Sequence, residues 1–336
     1  MGLALAHDVT EIVPGVSKGP AFRKGHVLTE SDLAHLARLG KRQIYVLEID
    51  DAHLHEDDAV ARLVEALCGD GVSPAGPPSE GKVELVAVRD GLLEFDLERL
   101  VAFNEVPDVM CATRHRHTPV RQGERLAGTR AIPLVVARDR IDEACATAGH
   151  GLIEVKFWRR ARAGLVITGT EIAEGLIEER FQPIVARKLR ALGSSVLDTR
   201  IVADDRAAVS GAIREMLEQR ADIVITTAGM SVDPDDVTRL AIADAGGRDL
   251  EYGAPVLPGA MLLVGVLDGP DGEVPVLGVP ACALFYKATV FDLVLPRVLA
   301  GERLTRADIA RLAHGGYCTS CKGGCRFPEC AFGKGA

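Results

Sequence analysis

The strongest constraint on the fold is a regular alternation of apolar runs and helical periodicity between Gly164 and Gly301. Short runs typical of buried strands, such as LVIT (165–168) and DIVITT (222–227), are separated by segments whose apolar residues recur every three or four positions. Strands that alternate with helices in this way form a mostly parallel sheet with crossover helices. We therefore predict a three-layer α/β domain, with its ligand at the carboxyl ends of the strands.

The N-terminal half of the chain has a different pattern. Residues 1–155 contain short apolar runs separated by Gly and Pro clusters, such as GDGVSPAGPPSEGK (69–82). This pattern predicts a β-rich α+β region with one or two helices, including one over 30–39. With the α/β domain over 160–305 and a cysteine-rich tail over 314–336, the chain is predicted to have three parts.

Composition and charge exclude several classes of function. A formal net charge of −9 over 336 residues argues against a general electrostatic grip on nucleic acid. The longest apolar stretch is too short to span a bilayer, and the N-terminus has no basic region typical of a signal peptide. We therefore expect a cytoplasmic protein without nucleic-acid or membrane partners, whose eight cysteines are reduced unless they bind metal.

Four loops follow predicted strands and are expected to open on one edge of the sheet. They are TGTE (168–171), ADD (203–205), TTAGMSVDPDD (226–236) and GVPACA (278–283). Glycine in the first and third loops lets backbone N–H groups approach an anion, and a following helix N-terminus attracts it. The acidic residues of these loops would repel a phosphate unless a divalent cation such as Mg²⁺ lies between them. The loops therefore predict a phosphate and magnesium site, although each acidic residue could instead cap a helix.

The order and spacing of TGTE, the DD pair, and TTAGMS followed by DPDDVT resemble the pterin-binding domain of molybdenum-cofactor biosynthesis proteins. This family includes the MoaB/Mog proteins and the larger MoeA-type molybdotransferases. The later segments PGAMLLVG (258–265) and VPVLGVPACALFYKATVFDLVLP (274–296) resemble the MoeA-type members. The resemblance implies a Mog-like fold over about 160–300 and binding of molybdopterin, a pterin that carries a dithiolene and a terminal phosphate.

The resemblance also implies roles for individual residues. Asp236, Glu171 and Asp205 match acidic, catalytic positions that would act with Mg²⁺. The implied cofactor-binding residues are Thr168, Gly169, Thr227, Ala228, Gly229, Met230, Ser231, Pro280 and Cys282. If the protein is an enzyme, the implied reaction is molybdate insertion with cleavage of adenylylated molybdopterin. The related families commonly form dimers or trimers, so a homo-oligomer is expected.

Departures from the family pattern favour binding over catalysis. Ala228 stands where the family commonly has a glycine, and Ala281-Cys282-Ala283 stands where it commonly has Gly-Asn-Pro. The N-terminal region also lacks the acidic signature of MoeA-type enzymes. The alternatives to a transferase are a non-catalytic carrier or maturation factor for a molybdo- or tungsto-enzyme and, more remotely, a pyrophosphatase or amidase. Cys282 would either ligate metal or meet a dithiolene sulfur, or act as a small apolar filler.

The C-terminal tail concentrates half of the cysteines within thirteen residues. Its spacing, Cys318-x2-Cys321-x3-Cys325-x4-Cys330, predicts a four-thiolate site for Zn²⁺ or an iron–sulfur cluster. Because the tail is too short and polar to form its own core, a metal is expected to organise it. A disulfide-closed or disordered tail is the alternative.

One charge run also suggests an anion site. RHRHTPVR (114–121) contains five side chains that can carry positive charge. It is either an anion-receiving patch that compensates the acidic loops or a solvated loop, which is what charge runs usually are.

Overall fold

The computed structural model describes residues 5, 9–13, 17–23, 26–43, 49–227, 229 and 237–335. The chain forms two compact units. The first comprises 1–88, 95–114 and 122–155, and the second comprises 89–94, 115–121 and 156–336. None of the helices in the described ranges is long and apolar enough to cross a membrane.

Strands and helices alternate along the second half of the described chain. The strands are Val9–Val13 (β1), Ser17–Phe22 (β2), His53–His55 (β3), Val72–Pro74 (β4), Lys82–Ala87 (β5), Gly91–Phe95 (β6), Val109–Thr113 (β7), Pro119–Val120 (β8), Arg125–Ala131 (β9), Val135–Ala137 (β10), Ile153–Lys156 (β11), Arg162–Thr168 (β12), Ser195–Val202 (β13), Ile223–Thr227 (β14), Arg248–Tyr252 (β15), Leu263–Gly269 (β16) and Gly272–Val279 (β17). The α-helices are Glu30–Arg38 (α1), Glu56–Leu67 (α2), Leu97–Glu105 (α3), Arg138–Ala148 (α4), Thr170–Ala173 (α5), Phe181–Ala191 (α6), Arg206–Glu218 (α7), Thr238–Asp244 (α8), Val290–Leu299 (α9) and Arg306–Arg311 (α10), and a 3-10 helix spans Ala281–Leu284.

The first unit is β-rich, as its sequence predicts. Its main sheet has four antiparallel strands in the order β4–β5–β9–β7. Helix α1 lies where a helix is predicted, and a capping box between Thr29 and Asp32 fixes its start. His55 caps the start of helix α2, because its side chain accepts a hydrogen bond from the backbone N–H of Asp57. Its apolar positions are buried in the unit's core.

The second unit contains a six-stranded sheet in the order β13–β12–β14–β17–β16–β15. The first four strands are parallel, and β16 is antiparallel to both of its neighbours. Alternate residues of β12 point to opposite faces, so Leu165 packs in one core and Val166 in another. The first core includes residues of α6 and α9, and the second includes residues of α7 and α8. The three-layer α/β prediction is therefore confirmed.

The register of the parallel strands sets the position of the loops. Ile167 of β12 lies beside Thr227 of β14, and Thr227 lies beside Val279 of β17. The loops after these three strands therefore leave the sheet at the same edge, which is where ligands bind in such sheets.

Two short segments of the N-terminal half are part of the second unit. They pair as β6 and β8, with Gly91 opposite Val120, and Leu92 is buried in the core that contains α6 and α9. The apolar periodicity of the sequence does not predict this arrangement, because the pairing joins segments about thirty residues apart.

The cysteine-rich tail packs on the second unit. Tyr317 lies beside Leu257 in a parallel bridge, and the Cys318 N–H donates a hydrogen bond of 2.8 Å to the Leu257 carbonyl. Phe332 is buried in the core with α9, and its ring contacts Phe327 edge to face. The tail forms no core of its own, as its sequence predicts, but Phe332 packs it into the core of the second unit.

Candidate functional site

A cavity of about 670 Å³ opens beside the loops that follow β14 and β17. Its volume lies within the range of small-molecule sites. The lining residues come from four separate segments of the second unit: Gly229; Leu257, Pro258, Gly259, Ala260 and Met261; Pro280, Ala281, Cys282 and Tyr286; and Tyr317, Cys318 and Ser320. Most of these groups are apolar or aromatic, and the cysteine thiols add soft donor atoms.

The loop after β14 contains a position that only glycine fits. Gly229 has φ +58°, and a Cβ there would lie 2.2 Å from Thr238 Oγ1 and 3.0 Å from Thr168 Oγ1. This contact joins the loop after β14 to the end of β12. The threonine hydroxyls fill the space where a Cβ would lie, and Gly229 also lines the cavity, so its backbone is within reach of a ligand there.

Buried hydroxyl groups near this glycine lack hydrogen-bond partners among the residues that the structure describes. They belong to Thr227 at the end of β14 and to Thr238, the first residue of α8. A buried hydroxyl without a partner costs free energy. Both threonines are fully buried, however, and neither lines the cavity, whereas Gly229 does.

The two aspartates of the loop after β13 are engaged in local contacts, whereas the carboxylate of the loop after β12 is not seen to be engaged with any residue that the structure describes. The Thr170 N–H donates to Asp204 Oδ2 at 2.9 Å, and the Asp204 N–H donates to Thr170 Oγ1 at 3.2 Å. Asp205 caps α7, because its Oδ1 accepts from the Ala208 N–H at 2.8 Å. Glu171 is exposed in the short helix α5.

Asp236 lies outside the described residues. The convergence of Glu171, Asp205 and Asp236 on one Mg²⁺ therefore stays a prediction. For Asp205, the helix-capping alternative is present in the structure.

The predicted cofactor-binding residues divide into three groups. Gly229, Pro280 and Cys282 line the cavity. Thr168, Gly169 and Thr227 are buried at the ends of β12 and β14. The remaining three, Ala228, Met230 and Ser231, lie outside the described residues.

Cys282 lies in the 3-10 helix that follows β17, and its side chain is half-buried. Burial raises the pKa of the Cys282 thiol, so the unliganded side chain is protonated at neutral pH. A protonated thiol is a poor nucleophile but becomes a ligand when a metal displaces its proton. Both interpretations of this residue, filler and metal ligand, therefore remain open.

Sequence reasoning missed one wall of the cavity. Tyr317, Cys318 and Ser320 come from the tail, and they meet the segment 257–261 only because the tail pairs with Leu257. No local pattern signals a contact between segments sixty residues apart. The aromatic residue next to the cysteine motif was the available hint, since exposed aromatics are enriched at binding surfaces.

The four tail cysteines are free, with Cys325 exposed and the other three half-buried. A metal site needs several His, Cys, Asp or Glu side chains whose ligand atoms lie close together. Among the described residues, only one group of three has its ligand atoms within 4.8 Å of one another, and that group is not in the tail. The sulfur atoms of the tail cysteines are therefore not as close together as a four-thiolate site requires. The metal site in the tail stays a prediction.

The gathered group consists of Glu94, His117 and Glu302 in the second unit. Lys156 Nζ lies 3.8 Å from both Glu94 Oε2 and Glu302 Oε1, and Arg297 Nε lies 2.7 Å from Glu302 Oε2. These cations balance the carboxylates, so the cluster is an ion-pair network that needs no metal.

The same network accounts for much of the charge run at 114–121. Arg116 and His117 both pair with Glu94, and Arg121 pairs with Asp90 at 2.7 Å. Burial raises the pKa of Glu94, but His117 and Arg116 outweigh this effect and lower it to about 2. The anion-receiving patch is therefore not supported, because these cations already have carboxylate partners.

Comparisons with known proteins agree with the α/β domain. Residues 164–300 match the family model described as a probable molybdopterin binding domain, and residues 1–48 match a domain of unknown function. A CinA-like protein of Mycobacterium tuberculosis is 38% identical over 90 residues, which is 27% of this chain and 21% of that protein. A CinA-like protein of Mycobacterium marinum is 37% identical over the same length. The chain thus spans about a fifth of the length of these relatives.

Solved structures of molybdenum-cofactor proteins are also similar. The tungsten cofactor synthesizing protein MoaB from Pyrococcus furiosus has 18% identity and a TM-score of 0.34, over 44% of this chain and 99% of that one. The molybdopterin biosynthesis MoeA protein from Pyrococcus horikoshii has 13% identity and a TM-score of 0.35, over 74% and 79% of the two chains. The family match therefore identifies a probable molybdopterin binding domain over residues 164–300 of this chain.

Proposed function

We propose that this protein binds molybdopterin, in its free, adenylylated or metal-loaded form, in the cavity beside the loops after β14 and β17. One observation carries the proposal. The cavity lies at the carboxyl ends of the parallel strands, within the domain that matches the molybdopterin-binding family.

The terminal phosphate is assigned to the loop after β14. Gly229 lines the cavity and has no side chain, so a phosphate can approach its backbone closely. Cys282 lines the same cavity and would offer its thiolate to a metal held by the dithiolene. The ligand would therefore meet backbone at its phosphate end and a soft sulfur atom elsewhere.

Anaerobic titration with molybdopterin released from a molybdoenzyme tests binding. Gly229→Ala is expected to weaken binding at least tenfold, because the new methyl group would collide with Thr238 and displace the backbone that the phosphate approaches. Gly211→Ala is the matched control, since nothing lies within 4 Å of its added Cβ in α7. If both variants bind molybdopterin with equal affinity and unfold at the temperature of the unmodified protein, Gly229 is not part of the binding site.

A Mg²⁺-dependent molybdotransferase is the enzymatic form of the proposal. Asp236 and Glu171 would hold the ion, with Asp205 contributing, and Mg²⁺ would neutralise the charge that develops on the phosphoanhydride. Asp236→Asn is then expected to abolish AMP release from adenylylated molybdopterin in the presence of molybdate, while pterin binding is retained. Unchanged AMP release would exclude Asp236 from the reaction.

A non-catalytic carrier or maturation factor is the second candidate. The engagement of Asp204 with Thr170 and of Asp205 with the start of α7 favours it, because these carboxylates are less available to a metal. Micromolar binding without AMP release would identify a carrier. A carrier is predicted to have a molybdo- or tungsto-enzyme client. A cytoplasmic location and a homo-oligomeric state are predicted for either candidate.

We also propose that Cys318, Cys321, Cys325 and Cys330 bind Zn²⁺ or an iron–sulfur cluster. The support is their number and spacing in a short segment. Closing such a site requires the thiols to move together from the positions described above. Elemental analysis and the visible spectrum of anaerobically purified protein test it, and a colourless sample without stoichiometric zinc would refute it.

A further inference from the structure

We infer that Tyr286 and Tyr317 clamp the flat ring system of the bound pterin, so that the cysteine-rich tail supplies part of the ligand site. The inference rests on the proposed function, because it takes the pterin as the ligand. Beyond that function, the inference names the residues that recognise the ring. It also gives the tail a role that does not depend on a bound metal.

Two of the four tyrosines of the chain lie at this one cavity. Tyr286 is 45% exposed and Tyr317 is 72% exposed. Aromatic rings left in water carry unfavourable apolar surface, and tyrosine suits a site where the ring meets a ligand while the hydroxyl stays solvated. A planar heteroaromatic ligand would cover the faces of the tyrosine rings by stacking on them. Stacking accepts different aromatic rings and does not require a charged ligand.

Tyr317 is held in place by the backbone on both sides. The Leu257 N–H donates to the Gly316 carbonyl at 2.8 Å, and the Cys318 N–H donates to the Leu257 carbonyl at 2.8 Å. A Cβ at Gly316 would lie 2.4 Å from the Leu312 carbonyl oxygen and 2.6 Å from that of Pro255. Glycine before the tyrosine therefore permits the tail to approach, and the pairing positions Tyr317 before a ligand arrives.

Tyr286 is positioned by a different segment of the chain. Its N–H donates to the Cys282 carbonyl at 3.1 Å, which continues the turn that begins at the end of β17. Ala283 within this turn is buried and anchors it to the core. The two tyrosines thus come from segments fixed by separate backbone contacts.

The lining of the cavity favours one orientation of the ligand. Leu257, Pro258 and Met261 supply apolar surface in the same cavity as the tyrosines, whereas Gly229 presents backbone without a side chain. A ligand with a phosphate at one end and a flat ring at the other satisfies both environments. Molybdopterin has this construction.

Alanine substitution of each tyrosine tests the clamp by binding of molybdopterin and of pterin-6-carboxylate, which has the ring but neither dithiolene nor phosphate. We expect Tyr317→Ala and Tyr286→Ala each to weaken both ligands roughly tenfold, in line with the loss of one stacking partner. Tyr317→Phe and Tyr286→Phe keep the ring and are expected to bind nearly as the unmodified protein does. Quenching of pterin fluorescence on binding is expected to be reduced in the alanine variants.

Phe285→Ala is the matched control, because Phe285 is 82% exposed beside Tyr286 and does not line the cavity. It should leave affinity unchanged. If the unmodified protein binds molybdopterin and the alanine variants bind equally well, the clamp is wrong and the proposed function stands. If the unmodified protein binds no molybdopterin, the proposed function itself fails, and the clamp fails with it.

Discussion

The α/β sheet and the cysteine-rich tail meet at one cavity, but they are built in different ways. The sheet follows from local patterns, because the run Leu165, Val166, Ile167 is buried on both faces and is followed by helical periodicity. The tail has no such pattern, and it is ordered by pairing with Leu257 and by insertion of Phe332 into the domain's core. One wall of a candidate site can therefore come from a segment whose sequence predicts no secondary structure.

The largest expected effect concerns the anchor of the tail. Phe332→Ala should lower the free energy of unfolding by about 3 kcal/mol or more, because a buried aromatic side chain leaves a cavity in the core. Urea denaturation measures this change, and Phe285→Ala should stay within about 0.5 kcal/mol as an exposed control. A small effect of Phe332→Ala would mean that the tail is not held by burial.

The next largest effect tests the backbone pairing of the tail. Gly316→Ala should cost about 1–3 kcal/mol, because its methyl group would overlap two carbonyl oxygens. It should also weaken molybdopterin binding by displacing Tyr317. Gly76→Ala, where nothing lies within 4 Å of the added Cβ, provides the control in both assays. Normal molybdopterin binding by the Gly316→Ala variant would show that the tail does not contribute to the ligand site.

A third effect tests the segments recruited from the N-terminal half. The pKa of Glu94 in the folded protein is about 2, below its ordinary value of 4.5, so its ion pairs stabilise the fold fully above pH 4.5. This stability is lost as the pH falls from about 4.5 towards 2. At pH 7, Glu94→Gln should cost about 1–2 kcal/mol, and the difference from the unmodified protein should shrink by pH 3.

Urea midpoints at several pH values measure this difference. Asp90→Asn serves as control, because Asp90 and its partner Arg121 are both about half exposed. A cost for Glu94→Gln that is the same at pH 7 and pH 3 would show that packing, and not charge, is responsible.

The smallest effect on stability is expected from removal of a tail metal. Because Phe332 anchors the tail to the core, chelation should shift the urea midpoint less than Phe332→Ala does. Chelation should nevertheless speed alkylation of the exposed Cys325, as measured by mass spectrometry. Cys68 and Cys111 should stay unreactive, since burial raises their pKa values to about 11 and about 12. Equal alkylation of Cys325 with and without chelator would argue that no metal is bound.

Residues of the candidate site could be predicted where a pattern in the neighbouring sequence identifies them. Gly229, Pro280 and Cys282 each follow a recognisable strand, so strand periodicity and family spacing were enough to assign them to one sheet edge. Asp205 illustrates the limit of this reasoning, because an acidic residue before a helix has the same sequence signature whether it caps the helix or holds a metal. Its hydrogen bond to the Ala208 N–H is visible only in three dimensions.

By itself, the sequence determined the α/β class, the order of strands and helices, and the edge of the sheet on which the loops open. These features follow from periodicity and glycine placement, which act over a few residues. Three features are visible only in the folded molecule: Tyr317 and Cys318 line the cavity, Glu94 pairs with the charge run, and Phe332 anchors the tail. Each depends on contacts between segments remote in sequence, whose free energy comes from packing and pairing that no local pattern encodes.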